Sequence, residues 1–382
     1  MPERRMILAH LTVVHPPADV RIYLRECRAL AAAGFRVILL APAPAPGEAR
    51  PAPPVEFRPL PRFRRRLPRM LFAALAMPFL ALRARADCYH FHDPELIPAG
   101  LLLKLLGRRV IWDVHEHLAG QMLSKPYLRP WARGILSRLA TVLEAVAARS
   151  FDAAVCATPA IAHRLVLRGA RAHTVQNHPL VEEWFDSRPE PEAPARRDVV
   201  YVGGLNPPRG VAQMVQAMGY LPAGLDCRLR LVGPFGPAEL WEQCARWPGW
   251  KRVDYLGILP RSAAMAVLRR AAAGLVVFQP QANHLESQPN KLFEYMSAGL
   301  PLVASDFPLW RELIEGHGLG LNVDPTDPEA IAEAITWLLT HPEAAAAMGA
   351  RGNRLVREQW NWEREAPTLL RVVAGVLAGG RS

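Results

Sequence analysis

Short apolar runs alternate with helix-periodic segments along this chain, and the alternation starts afresh halfway. In the first half the runs are ILAHLTVV (7–14), RVILLAP (36–42), CYHFH (88–92), RVIWDVH (109–115) and AAVCAT (153–158). Between the first two lies DVRIYLRECRALAAAG, where Ile22, Leu24, Cys27, Leu30 and Ala31 recur at helical spacing and Gly34 offers a C-terminal stop. Strand, helix and strand at this rhythm give βαβ units on a parallel sheet. The second half resumes with DVVYVGG (198–204), LRLVG (229–233), VDYLG (253–257), GLVVF (274–278), PLVAS (301–305) and GLGLNV (318–323). Asp327, Pro328 and Glu329 read as an N-cap with proline at the first helical position. Residues 42–68, Pro-rich and then Arg-rich, read as a long surface connection, and DSRPEPEAPARR (186–197) as a linker. At 382 residues the chain is long enough for two cores. The expected class is α/β, with two doubly wound, Rossmann-like domains facing a central cleft. The expected division is 1–185, a linker 186–197, 198–358, and a last segment 359–382 whose amphipathic helix packs back towards the first domain.

The net charge of +11 suits nucleic acid, an anionic membrane or phosphorylated small molecules, or simply reflects an Arg-, Ala- and Pro-heavy composition. Nucleic acid is not expected, because no recognised motif and no interleaving of basic and aromatic residues accompanies the charge. Five dispersed cysteines, Cys27, Cys88, Cys156, Cys227 and Cys244, read as reduced thiols of a cytoplasmic protein. The longest apolar stretch, residues 70–82, contains Pro78 and is shorter than the roughly 20 residues needed to span a bilayer.

Doubly wound sheets bind ligands at the carboxyl ends of their strands, near helix N-termini. ESQPNKLFEYMSAGLPLVAS (286–305) lies at such a place. Glu286 falls on a loop, Asn290 is a capping residue after Pro289, Lys291 falls in the first helical turn and Glu294 one turn deeper. A helix N-terminus with a lysine suits an anion, and two carboxylates suit a ribose diol and a second polyol. An ordinary capped helix with two surface glutamates explains the same spacing. YVGGLNPPRG (201–210) also joins a strand to a helix: Gly203 and Gly204 admit close backbone approach, and Arg209 is placed to grip a diphosphate or to be a plain surface arginine. HFHDPEL (90–96) and IWDVHEH (111–117) end two strands. Their His90, His92, Asp93, His115, Glu116 and His117 are candidate metal ligands, acid–base groups or hydroxyl holders, but meet no metal-ligand spacing, so no metal is expected. D-x-D is absent from the chain. Asp19, in HPPADVRI (15–22), is an N-cap or an acceptor-side residue.

Together these motifs resemble the retaining GT-B glycosyltransferases of family 4, the glycosyl transferases group 1 class. The likeness runs nearly end to end, through the Glu286/Glu294 pair, YVGGLNPPRG, HFHDPEL, DVHEH and the tail EQWNWEREAPTLL. The resemblance implies a metal-independent transfer of a sugar from a UDP-, GDP- or ADP-sugar donor, with no cofactor, to a glycan or lipid-linked acceptor in bacterial surface-polysaccharide synthesis. It implies that Glu294 binds ribose and Glu286 the transferred sugar. Gly203, Gly204, Ser287, Gln288, Asn290 and Leu292 line the donor, and Arg209 and Lys291 bind the diphosphate. His115 contacts the donor sugar from the N-terminal half, and Asp19 lies on the acceptor side. Where many relatives carry Gly-Arg, this chain has Gly204, and HPPAD replaces a glycine-rich first loop. The same fold also hosts non-catalytic sugar-nucleotide-binding subunits and epimerases, which remain alternatives.

RFRRRLPRMLFAALAMPFLALRAR (62–85) is basic and then apolar, and Lys125, Arg129, Arg133 and Arg138 mark a second basic amphipathic stretch. Peripheral binding to an anionic membrane, on the inner face of the cell membrane, is one expectation, and two crossover helices with solvated arginines the other.

Overall fold

The computed structural model describes residues 4–116, 118–124, 129–185, 197–285 and 287–379. Glu286, His117, Lys125 and residues 186–196 of the expected linker lie outside them. The chain divides into two compact units, residues 1–177 with 362–382, and residues 178–361.

The first unit holds β1 (Ile7–Leu11), β2 (Arg36–Pro42), β3 (Glu56–Leu60), β4 (Cys88–Phe91), β5 (Arg109–Val114), β6 (Ala153–Cys156) and β7 (Ala172–Thr174). They form one parallel sheet in the order β3-β2-β1-β4-β5-β6-β7. The stretch read as a surface connection therefore contains a strand. EFRPL alternates poorly, and its Pro59 is tolerable because β3 is an edge strand with one partner. The order reverses between β1 and β4, where His10 lies beside His90 in register. The segment after β1 starts as a π-helical turn, Val20–Cys27, in which the Leu24 N–H reaches the Asp19 carbonyl (3.2 Å), and continues as an α-helix, Arg28–Ala32. The wider turn places Arg25 and Glu26 in the interior beside Ile22 and Cys27, all at most 1% exposed. The C-terminal helix, Trp362–Leu377, contacts this turn and strands β5 to β7.

The second unit holds β8 (Val199–Val202), β9 (Leu229–Val232), β10 (Val253–Tyr255), β11 (Ala273–Val276), β12 (Leu302–Ser305) and β13 (Gly320–Val323), also all parallel, in the order β10-β9-β8-β11-β12-β13. Its switch point lies between β8 and β11. One residue locks the helix Asn290–Ser297 over that point. Tyr295 is fully buried, its ring lies so close above Gly274 of β11 that a Cβ there would meet Cδ2 at 2.2 Å, and its hydroxyl accepts from the Val202 N–H at 2.9 Å. Among the described residues, no helix is long and apolar enough to cross a membrane.

Candidate functional site

In the second unit, the loop after β8 and the helix Asn290–Ser297 meet at the switch point. Gly203 follows β8 with φ +139°, a conformation that side chains disfavour, and a Cβ on it would lie 2.2 Å from the Lys291 Nζ. Lys291 also lies over the Tyr201 ring, 5.4 Å from its centroid. Arg209 ends the 3₁₀ turn Pro207–Arg209, and its guanidinium stacks 4.1 Å from the Phe278 centroid. Gly210, with φ +73°, then opens the helix Val211–Tyr220. Burial lowers the Lys291 pKa to about 8; Glu294 works against that shift and the Arg209 charge adds to it. Among the described residues, neither Lys291 nor Arg209 forms an ion pair with a carboxylate.

The helix begins one residue earlier than the capping expectation. Pro289 takes the N-cap position, Asn290 is the first helical residue, and no side chain caps the N-terminus. The first-turn N–H groups are therefore left to other acceptors, save that of Leu292, which reaches the Pro289 carbonyl at 3.1 Å. The Leu292 side chain is fully buried in the core, so only its backbone is near the site. The Ser287 hydroxyl donates to the His284 carbonyl (3.2 Å) and its own carbonyl accepts from Trp310 Nε1 (2.7 Å), which fixes the loop that continues through Gln288. Gly204 lies next to Asn206 and accepts from the Tyr201 hydroxyl through its carbonyl at 3.2 Å.

Glu294 faces Arg261, whose Nη1 lies 3.2 Å from its Oε1, while the same guanidinium forks onto Glu183. Sequence reasoning missed Arg261, Phe278 and Tyr201. Tyr201 lies in β8, Phe278 follows β11 and Arg261 begins the helix Arg261–Arg270, so only the fold brings them together.

In the first unit, the carboxyl ends of β1, β4 and β5 gather a dense polar group. Asp19 caps the helical segment, its Oδ1 accepting from the N–H groups of Arg21 (2.9 Å) and Ile22 (3.0 Å). Its Oδ2 lies 3.4 Å from His15 Nδ1, and His15 Nε2 lies 3.4 Å from Asp93. Burial alone would raise the Asp19 carboxyl, but the His15 contact and the Ile22 N–H outweigh it and hold it at about 2. Burial disfavours charge on His15 too, yet Asp19, Asp93 and Asp113 raise its pKa. Asp93 accepts from the Thr12 hydroxyl (2.9 Å) and the Val13 N–H (2.5 Å), while burial dominates and raises its pKa. His115 projects at the end of β5, 3.0 Å from Asp113 and with its ring 5.7 Å from that of His15. His115, His15, Asp19 and Asp93 thus share one partly exposed corner, while Glu116 is exposed beside it.

Beneath that corner lies a fully buried layer of which the sequence marked only His90 and His92. Arg21 holds Asp113 with two bonds, Nε to Oδ2 at 2.9 Å and Nη2 to Oδ1 at 2.7 Å, and donates to Val175 O and Asn177 Oδ1. Burial opposes ionisation of Asp113, but the Arg21 charge overrides it and holds the carboxyl well below its usual range. His92 Nδ1 is 2.8 Å from Asp113 Oδ2, and its Nε2 faces His10 Nδ1 at 3.0 Å. Burial depresses His92 to about 3 and pushes His10 and His90 well down, while it pushes Glu26 well up.

Two family models match the chain: residues 182–355 match glycosyl transferases group 1, and residues 20–178 match glycosyltransferase family 4. The chain is 30% identical over 167 residues to the D-rhamnosyltransferase WbpZ of Pseudomonas aeruginosa, covering 42% of this chain and 41% of that protein. It is 24% identical over 302 residues to the phosphatidyl-myo-inositol mannosyltransferase of Mycobacterium leprae, covering 77% and 75%. Its fold is similar to that of sucrose-phosphate synthase from Thermosynechococcus elongatus, with a TM-score of 0.79, 19% identity, and coverage of 98% and 100%.

Proposed function

Because the chain belongs to the GT-B glycosyltransferases of family 4, we propose that it transfers a sugar, with retention and without a metal at the donor, from a nucleoside-diphosphate sugar to a glycan or lipid-linked acceptor of surface-polysaccharide synthesis. The observation that carries this reading is the pairing of two cations, Lys291 and Arg209, at an uncapped helix N-terminus one turn from Glu294. The cations and the helix end suit a diphosphate, and Glu294 suits the hydroxyls of the attached ribose. As the bond from the anomeric carbon to the diphosphate oxygen breaks, negative charge grows on that oxygen. Lys291 and Arg209 stabilise it there. The acceptor oxygen bonds to the anomeric carbon, and its proton passes to a phosphate oxygen of the leaving diphosphate. In the first unit, His115 and the His15–Asp19–Asp93 corner offer hydrogen-bonding groups that suit sugar hydroxyls. Relatives that act on phosphatidyl-myo-inositol and its mannosides fit a lipid-linked acceptor.

Surface chemistry supports docking of the first unit on an anionic membrane. On the helix Pro130–Ser150, Trp131, Ile135, Leu139, Val142 and Val146 are all exposed at helical spacing, with Arg129 and Arg138 alongside. Leu67, Leu71, Leu75 and Phe79 are likewise exposed after Arg64, Arg65 and Arg66. Such faces partition into the headgroup boundary of anionic bilayers. Equal recovery of the chain in the supernatant with and without anionic vesicles would overturn the docking.

The donor reading is tested by titrating UDP-, GDP- and ADP-sugars into the chain and into Glu294→Ala. Binding of one nucleotide class, lost in the variant, supports it; no binding of any class overturns it.

A further inference from the structure

We propose that His10, His90, His92 and Glu26 form a structural site for a divalent first-row transition metal, zinc by the chemistry of the donor set. The site is distinct from the donor site and rests on geometry within the first unit alone. β1 contributes His10, β4 contributes His90, His92 follows directly after β4 two residues on, and the π-helical turn lays Glu26 over them. One ligand atom from each of the four lies within 4.8 Å of the others. Glu26 Oε2 is 4.0 Å from His10 Nδ1, 3.7 Å from His90 Nδ1 and 4.0 Å from His92 Nε2, and His10 Nδ1 is 3.0 Å from His92 Nε2. Four ligands about 2.0–2.1 Å from a tetrahedral cation are about 3.3 Å apart, so small rotations of the side chains bring these atoms to ligating positions.

The polar atoms point to a ligand independently of that spacing. All four side chains are at most 2% exposed, yet both nitrogens of His90, His10 Nε2 and Glu26 Oε2 have no hydrogen-bond partner, while Glu26 Oε1 lies 3.1 Å from Arg21 Nε. Buried polar atoms are ordinarily satisfied, and a cation on His10 Nδ1, His90 Nδ1, His92 Nε2 and Glu26 Oε2 gives a partner to His90 Nδ1 and Glu26 Oε2. His92 already has the supporting contact that metal-ligating histidines show: its Nδ1 meets the Asp113 carboxylate, and its Nε2 is thereby aimed at the cluster. Three imidazoles and one carboxylate suit zinc, and four protein ligands close the coordination sphere, which marks a structural site. A second trio, His92, Asp113 and His115, is also close-set, but both oxygens of Asp113 are engaged by Arg21. The bound cation ties β1, β4 and the helical turn together directly beneath the corner that carries His15, Asp19 and Asp93.

The burial of the cluster means the metal enters as the chain folds, so the full chain is expressed in zinc- or cobalt-supplemented medium. It is then dialysed against a chelator, and the metal is counted by mass spectrometry. The expected result is about one equivalent retained by the wild type, tetrahedral ligand-field bands in the cobalt form, and loss of both in Glu26→Gln and His90→Gln. Retention below about a tenth of an equivalent in the wild type overturns the proposal. So does retention in both variants, or loss in His115→Ala with retention in His90→Gln, which would move the cation to the second trio. Should the variants fail to fold, the metal count and cobalt spectrum of the wild type decide alone.

Discussion

The ammonium of Lys291 occupies the space that a side chain on Gly203 would fill: a Cβ there would lie 2.2 Å from Nζ and 2.7 Å from Cε. The glycine therefore serves two ends, the φ of +139° that ends β8 and the seat of a cation. Gly203→Ala is expected to displace Lys291 and weaken donor binding about tenfold or more, with the fold retained. Calorimetric titration of the donor nucleotide checks it. The same substitution made on Lys291→Met should cost much less, because the contact it disturbs is already gone. Equal losses in both backgrounds would detach Gly203 from the lysine.

Lys291 itself gives a signed dependence on pH. Its pKa falls from the ordinary 10.5 to about 8 on burial. The folded chain thus holds this proton more weakly than the unfolded chain does. The cost of burying the ammonium is present in full below pH 8 and is relieved as pH rises from 8 towards 10.5. It amounts to roughly 3 kcal/mol at one pKa unit per 1.4 kcal/mol, so Lys291→Met should stabilise the ligand-free chain at neutral pH, by about 1–3 kcal/mol. Donor affinity moves the other way. The diphosphate needs the charged form, so affinity should fall about tenfold per pH unit above pH ~8 in the wild type and stay level in Lys291→Met. Binding isotherms across that range, with denaturation midpoints alongside, decide both halves.

Arg261 touches no part of the diphosphate seat, yet it holds Glu294 at 3.2 Å and Glu183 in the same fork. It acts as a positioning residue for the ribose carboxylate. A ribose contact is present in ground state and transition state alike, so Arg261→Ala should raise KM about five- to tenfold and leave kcat within about twofold. Arg261→Lys should recover little, since an ammonium cannot span two carboxylates as the planar fork does. A fall in kcat with KM unchanged would place Arg261 in the chemical step instead.

What local sequence could reveal depended on how far apart the interacting residues lie. Most strands showed themselves through apolar runs, because a strand buried on both faces of a parallel sheet is apolar throughout. β3 did not, since an edge strand such as EFRPL keeps charge and proline, and β7 is only three residues long. Lys291 and Glu294 were visible because one helix carries both, and Gly203 because a strand-to-helix turn needs it. His90 and His92 were visible as candidate ligands at a strand end, but the layer they form with His10 and Glu26 was not. It exists only once β1 and β4 pair in register and a π-helical turn swings a glutamate inward, whereas helical spacing had assigned the interior to Ile22, Leu24 and Cys27. Buried charge of that kind leaves no trace in a hydrophobic pattern.

Arg21 and Asp113 carry the last prediction. Arg21 is 4% exposed and meets Asp113 through two short bonds, with Val175 O and Asn177 Oδ1 taking further N–H groups. Removing one partner of such a pair strands the other charge in the interior, which costs about 3–5 kcal/mol. Arg21→Met should therefore lower the stability of the chain by that order, read from the denaturant midpoint. Asp113→Asn leaves the guanidinium beside Glu26, whose Oε1 lies 3.1 Å from Arg21 Nε, and should cost less. The double variant should lose clearly less than the sum of the two, because neither charge is then left alone. Strict additivity would mean that the two side chains stabilise the unit independently, through Val175, Asn177 and His92 rather than through each other.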